Sequence, residues 1–275
     1  MQRELEIATE LARHAGAAIR RHYEAGVDVQ YKGARGDDPF TVADEEANRI
    51  IVEGLLRAFP DDGILAEESP AESRRLSCRR LWCVDPLDGT REFIAHNGQF
   101  VVMIGLAVEG AARLGVVYQP TEDALYWGVD GEAVAQVGAT RRALGVSAVR
   151  DARNATLVVS RSHRSKTVSA VAQTLGIVTE HPLGSVGLKA VQVASQLADI
   201  YMSVSNRTHE WDACAPEAIV RAAGGSMTDV LGRPLAYNKP TTETPYGMLA
   251  TNGVLHPACV AALTPVARER GWCTA

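Results

Sequence analysis

Trp82-Cys83-Val84-Asp85-Pro86-Leu87-Asp88-Gly89-Thr90-Arg91-Glu92-Phe93 sets two carboxylates, a hydroxyl and the turn formers Pro and Gly directly behind a short apolar run. Leu81 to Val84 is too short and apolar for anything but a buried strand or a piece of core, and Pro86 and Gly89 predict a tight turn after it. Asp85 then ends a strand, Asp88 faces the same point from the turn, and the Leu87 carbonyl, with no ladder partner, is open to a cation. Hard oxygens converging in this way suit Mg²⁺ better than a thiolate-seeking metal. Taken alone, Asp-x-x-Asp-Gly is explained more readily by an Asp-rich surface turn with Asx hydrogen bonds, so the metal reading needs further acids.

The rest of the chain supplies them. Asp37-Asp38-Pro39-Phe40-Thr41-Val42-Ala43-Asp44 ends in an acid that also reads as the cap of a helix from Glu45 to Phe59, with Ala47, Ile50, Ile51, Gly54 and Leu55 on its apolar face. Gly63-Ile64-Leu65-Ala66-Glu67-Glu68-Ser69 places two glutamates after a short apolar run, and in an extended segment only one of two neighbours faces a given point. Glu210-Trp211-Asp212-Ala213-Cys214-Ala215-Pro216 sets Asp212 at the head of a helix running to Ala223, with Pro216 in its first turn and Gly224-Gly225 ending it. Capping alone would account for Asp44 or Asp212; the joint arrangement favours a site.

In this order, Asp38-Pro39-x-Thr41-x-x-Asp44, Glu67-Glu68-Ser69, Asp85-Pro86-Leu87-Asp88-Gly89-Thr90 and Trp211-Asp212-x-x-x-Pro216 resemble the Mg²⁺-dependent, Li⁺-sensitive phosphatase superfamily. That superfamily contains inositol monophosphatases, fructose bisphosphatases and 3'(2'),5'-bisphosphate nucleotidases. The match runs from the first helix to about Asn238, and four ordered motifs are far more specific than one. Arg91-Glu92-Phe93 resembles the nucleotidase branch, where inositol phosphatases usually carry Thr-Asn-Phe. Phe93 to Phe100, Val158 to His163 and Gly184-Ser185-Val186-Gly187-Leu188-Lys189 extend that similarity. Inositol phosphatases tend to hold the sugar hydroxyls with a Glu shortly before the Trp-Asp pair, whereas Ser203 is the nearest counterpart here.

The resemblance implies a layered α-β-α-β-α architecture of the α/β (α+β) class and a site where two halves of the chain meet. It implies two or three Mg²⁺ ions held by Glu67, Asp85, the Leu87 carbonyl, Asp88 and Asp212, which would neutralise a phosphomonoester and activate a water for in-line attack. Thr90 with Glu67 would orient that water, and Asp44 would position a further hydrated metal and serve as base. Asp88, Gly89 and Thr90 would meet the phosphate. Ser185 at a helix N-terminus, Lys189 and Arg207 are the candidates for the rest of the substrate; Arg161 and His163 are further cationic candidates, with solvated surface charge the commoner fate of each. The implied reaction is removal of the 3'-phosphate of adenosine 3',5'-bisphosphate, with 3'-phosphoadenosine 5'-phosphosulfate as a further candidate substrate.

Composition agrees. A 275-residue chain with 46% hydrophobic residues can bury a sizeable core, and it has no apolar run near 18 residues long. A net charge of -5 without a basic stripe gives no support for binding nucleic acid polymers and leaves room for a small, nucleotide-sized partner; the resemblance implies that this partner is a phosphomonoester substrate, with a homodimer open. Five cysteines without a Cys-x-x-Cys pair, and charged residues directly after Met1, predict reduced thiols in the cytoplasm.

Leu5, Ala8, Leu11, Ala12, Ala15 and Ile19 predict an amphipathic first helix, and Tyr31 to Pro39 a Gly- and Asp-rich loop able to cover a site. Strands are expected over Phe100 to Val108, Arg113 to Tyr118 and Ala124 to Val129 as a meander. They recur over Thr156 to Ser160, Ile177 to Thr179 and Asp199 to Ser203, with helices over Lys166 to Leu175 and Leu188 to Leu197, and the last ten residues read as a frayed helix or tail. Two units, 1–145 and 146–275, fit this pattern.

A haloacid-dehalogenase-type phosphatase needs Asp-x-Asp, and the three-residue spacing of Asp85 and Asp88 excludes it. An inositol monophosphatase or broad sugar phosphatase would share the metal machinery and differ only in the pocket. A non-enzymatic descendant would be expected to have lost Glu67, Asp85, Asp88, Thr90 or Asp212, and all five are present.

Overall fold

The computed structural model describes residues 1–26, 29–32, 38–162 and 165–273. In chain order the elements are α1 (Gln2–Ala25), β1 (Val29–Lys32), β2 (Asp38–Thr41), α2 (Val42–Ala58), β3 (Gly63–Ala66), β4 (Arg80–Asp88), α3 (Thr90–Ile94), β5 (Val101–Val108), β6 (Ala111–Gln119), β7 (Ala124–Val129), β8 (Glu132–Val137) and β9 (Thr140–Ala143). There follow β10 (Thr156–Ser160), α4 (Lys166–Leu175), β11 (Thr179–Leu183), α5 (Val186–Ala194), β12 (Ile200–Ser203), α6 (Glu210–Ala222), β13 (Ser226–Thr228), β14 (Met248–Thr251) and α7 (His256–Glu269).

The two larger sheets and three helix pairs stack as five layers, as the α-β-α-β-α expectation has it, with β1 and β2 pairing apart from them. β3 to β9 lie in sequence order in one seven-stranded sheet, and β11-β10-β12-β14-β13 form a five-stranded one. Alternation along β5 shows how the first sheet is covered on both faces: Val102, Ile104 and Leu106 join the core beneath α1 and α2, while Val101 and Met103 join the core beneath α5 and α6. That double burial explains why β5 is a continuous apolar run. The second sheet repeats the pattern, with Val158, Tyr201 and Ala250 toward α5 and α6 and Leu157, Met202 and Leu249 toward α4 and α7. Each fully buried Leu or Ile in these layers contributes about 1.5–3 kcal/mol.

α6 lies unusually close to the first sheet because Gly105, Gly115 and Gly128 pair across β5, β6 and β7 and leave a trough. A Cβ at Gly115 would stand 2.1 Å from the Ala215 carbonyl oxygen, so only glycine admits the helix backbone at this depth.

Several expectations are corrected. Pro86 does not open a tight turn: β4 continues to Asp88, with an irregularity between Asp85, opposite Met103, and Asp88, opposite Val101. Tyr31, Lys32, Asp38 and Pro39 belong to the paired strands β1 and β2 instead of a loop, and residues 33–37 of that expected lid lie outside the described residues, as does His163. Ile177 packs in the core between sheet and helices while the strand starts two residues later, at Thr179. Of the last ten residues, the first four end α7 at Glu269 with Ala267 buried, Trp272 packs against the core beyond the helix, and residues 274 and 275 lie outside the described residues. All five cysteines are free thiols. Among the described residues no helix is long and apolar enough to cross a membrane.

Candidate active site

Two side chains three apart on a regular strand point to opposite faces, yet Asp85 and Asp88 line one cavity. The β4 irregularity resolves this, since three steps along β4 oppose two along β5 and the extra residue turns Asp88 to the side of Asp85. Asp85 Oδ1 accepts from the Leu87 N–H at 3.1 Å, which fixes the bulge from within. Gly89 follows at φ +102°, where a Cβ would meet the Gln99 carbonyl at 2.9 Å, and turns the chain into α3 with Thr90 at its first position.

The other acids arrive from helix starts and a strand end. Thr41, not Asp44, caps α2; Asp44 is the third helical residue, and its Oδ2 accepts from the Thr41 N–H at 2.8 Å and hydroxyl at 2.7 Å in a capping box. This leaves Oδ1 directed to Thr90, whose hydroxyl lies 3.3 Å away. Asp212 is likewise the third residue of α6 and not its cap, and its Oδ2 accepts from the His209 N–H at 2.5 Å. Pro216 stands deeper in α6 than its first turn. Without a Pro216 N–H, the Asp212 carbonyl loses its ordinary helical partner. Glu67 follows β3, its N–H held by the Val84 carbonyl at 3.0 Å, and it lines the cavity while Asn48 holds the neighbouring Ser69 hydroxyl at 2.8 Å.

Glu67, Asp85, the Leu87 segment, Asp88, Gly89, Thr90, Ser185, Lys189 and Asp212 thus enclose one cavity of about 250 Å³. Asp88 is tied into it: Oδ2 accepts from the Ser185 hydroxyl and, at 2.7 Å, from the Gly187 N–H at the start of α5. The Leu87 carbonyl is not idle, because the Thr90 hydroxyl lies 3.2 Å from it. Burial pushes the Asp85 carboxyl well above the usual carboxylate range, and the nearby charges of Glu67, Asp88 and Asp212 push it further. Burial lowers the Lys189 ammonium, opposed by Asp88, Glu92 and Asp212. Four acids around one point are unstable without compensating positive charge. All donors are hard oxygens, so the set fits a divalent cation of the Mg²⁺ kind, even though among the described residues no three of these side chains already stand in a ligand geometry.

A second cavity of about 510 Å³ shares the walls Ser160, Val186 and Lys189 with the first. Tyr201, Met202, Ser203, Ser205, Asn206, Thr208 and Arg270 line the rest with apolar side chains of β10 and α4. Arg207 is exposed and is not among the described residues lining either cavity. Arg161 is turned to Gln99 Oε1 at 2.8 Å and the Pro182 carbonyl at 3.2 Å. Sequence reasoning missed Glu92 and Ser162, which are hydrogen-bonded to each other on the wall of the small cavity, although Glu92 lay inside the quoted motif. It also missed Tyr201, above whose ring the Lys189 ammonium sits at 5.3 Å, and Arg270, which no motif flags.

The sequence profile of the inositol monophosphatase family matches residues 1–266. The chain belongs to the inositol monophosphatase family. This member of the family is 40% identical over 236 residues, 85% of its length and 93% of the relative's, to the 3'(2'),5'-bisphosphate nucleotidase CysQ of Salmonella typhimurium. Among solved structures it resembles an IMPase of Thermotoga maritima, with a TM-score of 0.81, 26% identity and coverage of 98% and 99% of the two chains. It also resembles the CysQ of Bacteroides thetaiotaomicron, with a TM-score of 0.78, 31% identity and coverage of 92% and 98%. The family works with a divalent metal, in keeping with the crowded carboxylates.

Proposed function

We propose that the protein is a Mg²⁺-dependent phosphomonoester hydrolase that removes the 3'-phosphate of adenosine 3',5'-bisphosphate. The observation that carries this reading is the pair of joined cavities, one small and acidic and the other large enough for a nucleoside, in a chain so similar to CysQ nucleotidases. Glu67, Asp85, the Leu87 carbonyl, Asp88 and Asp212 would hold two or three Mg²⁺ ions, which when bound would supply charge to offset that of the phosphate and to lower the pKa of a water. Thr90 orients the attacking water from the start of α3, with Asp44 behind its hydroxyl as the proton acceptor. The N–H groups of Gly89 and Thr90 meet the phosphate, and Ser185 braces Asp88 at the start of α5. Lys189, in the shared wall, places a positive charge where the scissile ester passes from one cavity to the other. Residues 1–145 supply most of the metal ligands and 146–275 the remainder with the substrate pocket.

The likeness to the Thermotoga IMPase favours inositol 1-phosphate as the second substrate class, with the same metal machinery. Metal-dependent phosphate release from the nucleotide, measured beside inositol 1-phosphate and fructose 1,6-bisphosphate, decides between them.

A further inference from the structure

We propose that Arg270 binds the second, non-reacting phosphate of a nucleoside bisphosphate in the larger cavity. The proposal rests on the nucleotidase reading and names the residue that would make a bisphosphate better than a monophosphate. A bisphosphate that places its reacting group among the acids of the small cavity must carry its other dianion into the large one, where it needs a cation. Among the described residues lining that cavity the cations are Lys189 and Arg270. Lys189 stands in the shared wall, and its charge already answers Asp88, Glu92 and Asp212. Arg270 belongs to the large cavity only.

Arg270 is exposed at the mouth of that cavity, and no carboxylate pairs with its guanidinium among the described residues. Its Nη1 donates to the Val204 carbonyl, and its planar face lies 4.9 Å from the centre of the Trp272 ring. These contacts fix the fork while using one of its five donors. Its charge is left for an anion. The fork matches a phosphate in a bidentate way that a lysine does not, and the hydroxyls of Ser165 and Ser205 stand on the same lining to complete the contact. Arg207, the cation that sequence position favoured, does not reach this lining.

The test is the ratio of kcat/KM for adenosine 3',5'-bisphosphate to that for adenosine 3'-monophosphate in the wild type, Arg270→Gln and Arg270→Lys, at fixed Mg²⁺ and low salt. The wild-type ratio should be about 30 or more. Arg270→Gln should bring it close to one, with the loss in the KM for the bisphosphate, and Arg270→Lys should fall between. As a second readout, adenosine 5'-monophosphate should bind about tenfold more weakly to Arg270→Gln by calorimetry without added metal. A ratio unchanged in Arg270→Gln, or near one in the wild type, overturns the proposal while leaving the nucleotidase intact. A wild type that hydrolyses inositol 1-phosphate in preference to both nucleotides overturns the nucleotidase reading instead, and this proposal with it.

Discussion

The hydroxyl of Thr90 lies 3.3 Å from Asp44 Oδ1, joining the starts of two helices across 46 residues of sequence. Asp44 Oδ2 is held by Thr41 and Oδ1 faces Thr90, so on the proposed reading a water oriented by Thr90 would have a short path for its proton to this carboxylate. Thr90→Ala should lower kcat by about 10²–10³-fold with little change in stability, and Thr90→Ser should restore most of the rate. Equal loss in both variants would mean that the methyl group, not the hydroxyl, matters.

Asp85 is buried among Glu67, Asp88 and Asp212, and these charges disfavour its ionised form. Without metal, Asp85→Asn should therefore stabilise the protein by about 0.5–2 kcal/mol, while lowering kcat/KM about a thousandfold or more. Mg²⁺ at about 100 times its Kd should stabilise the wild type by about 2.7 kcal/mol against a chelator control, and the variant much less. Thermal melts with and without Mg²⁺ check both; a variant less stable than wild type in chelator would show that Asp85 is not under electrostatic strain.

Gly115 admits the Ala215 carbonyl of α6 at a depth no Cβ allows. Gly115→Ala should cost about 1–3 kcal/mol in urea denaturation or prevent folding, by lifting the helix that carries Asp212 off the sheet. A loss below about 0.5 kcal/mol would show that α6 is free to rise.

Glu217 is 4% exposed within α6; burial raises its carboxyl above the ordinary value, although the Tyr237 hydroxyl donates to it at 2.6 Å and Arg221 lies 3.2 Å away. The folded chain thus holds this proton more tightly than the unfolded chain, so stability from this group is present below the ordinary carboxyl pKa and is lost as pH rises through the raised one. Relative to wild type, Glu217→Gln should become progressively more stable from about pH 4.5 toward neutrality. Melting profiles that run parallel over this range would contradict it.

Much of this was legible in the chain because the periodicity was local. β10 and α4 occupy the spans their patterns indicated, Thr156 to Ser160 and Lys166 to Leu175. The metal-side acids lie in short motifs next to element ends, where one residue's context identifies it. Asp44 and Asp212 were misplaced by a few positions, since an acid at the third helical residue, accepting from the cap's own N–H, and one at the cap, accepting from an N–H of the first turn, leave the same signature in sequence. The bulge between Asp85 and Asp88 could not be read, because it exists only in register with β5. Arg270 was invisible for the same kind of reason: its neighbour Val204 is 66 residues away, and only the fold brings them together.

The central claim is best tested by kcat/KM for adenosine 3',5'-bisphosphate against inositol 1-phosphate and fructose 1,6-bisphosphate in Mg²⁺, with Asp88→Asn as control. A preference of about a hundredfold or more for the nucleotide, roughly 2.7 kcal/mol of transition-state discrimination, abolished in the control, is the expected result. Equal rates on the three substrates, or a preference for inositol 1-phosphate, would contradict the nucleotidase assignment.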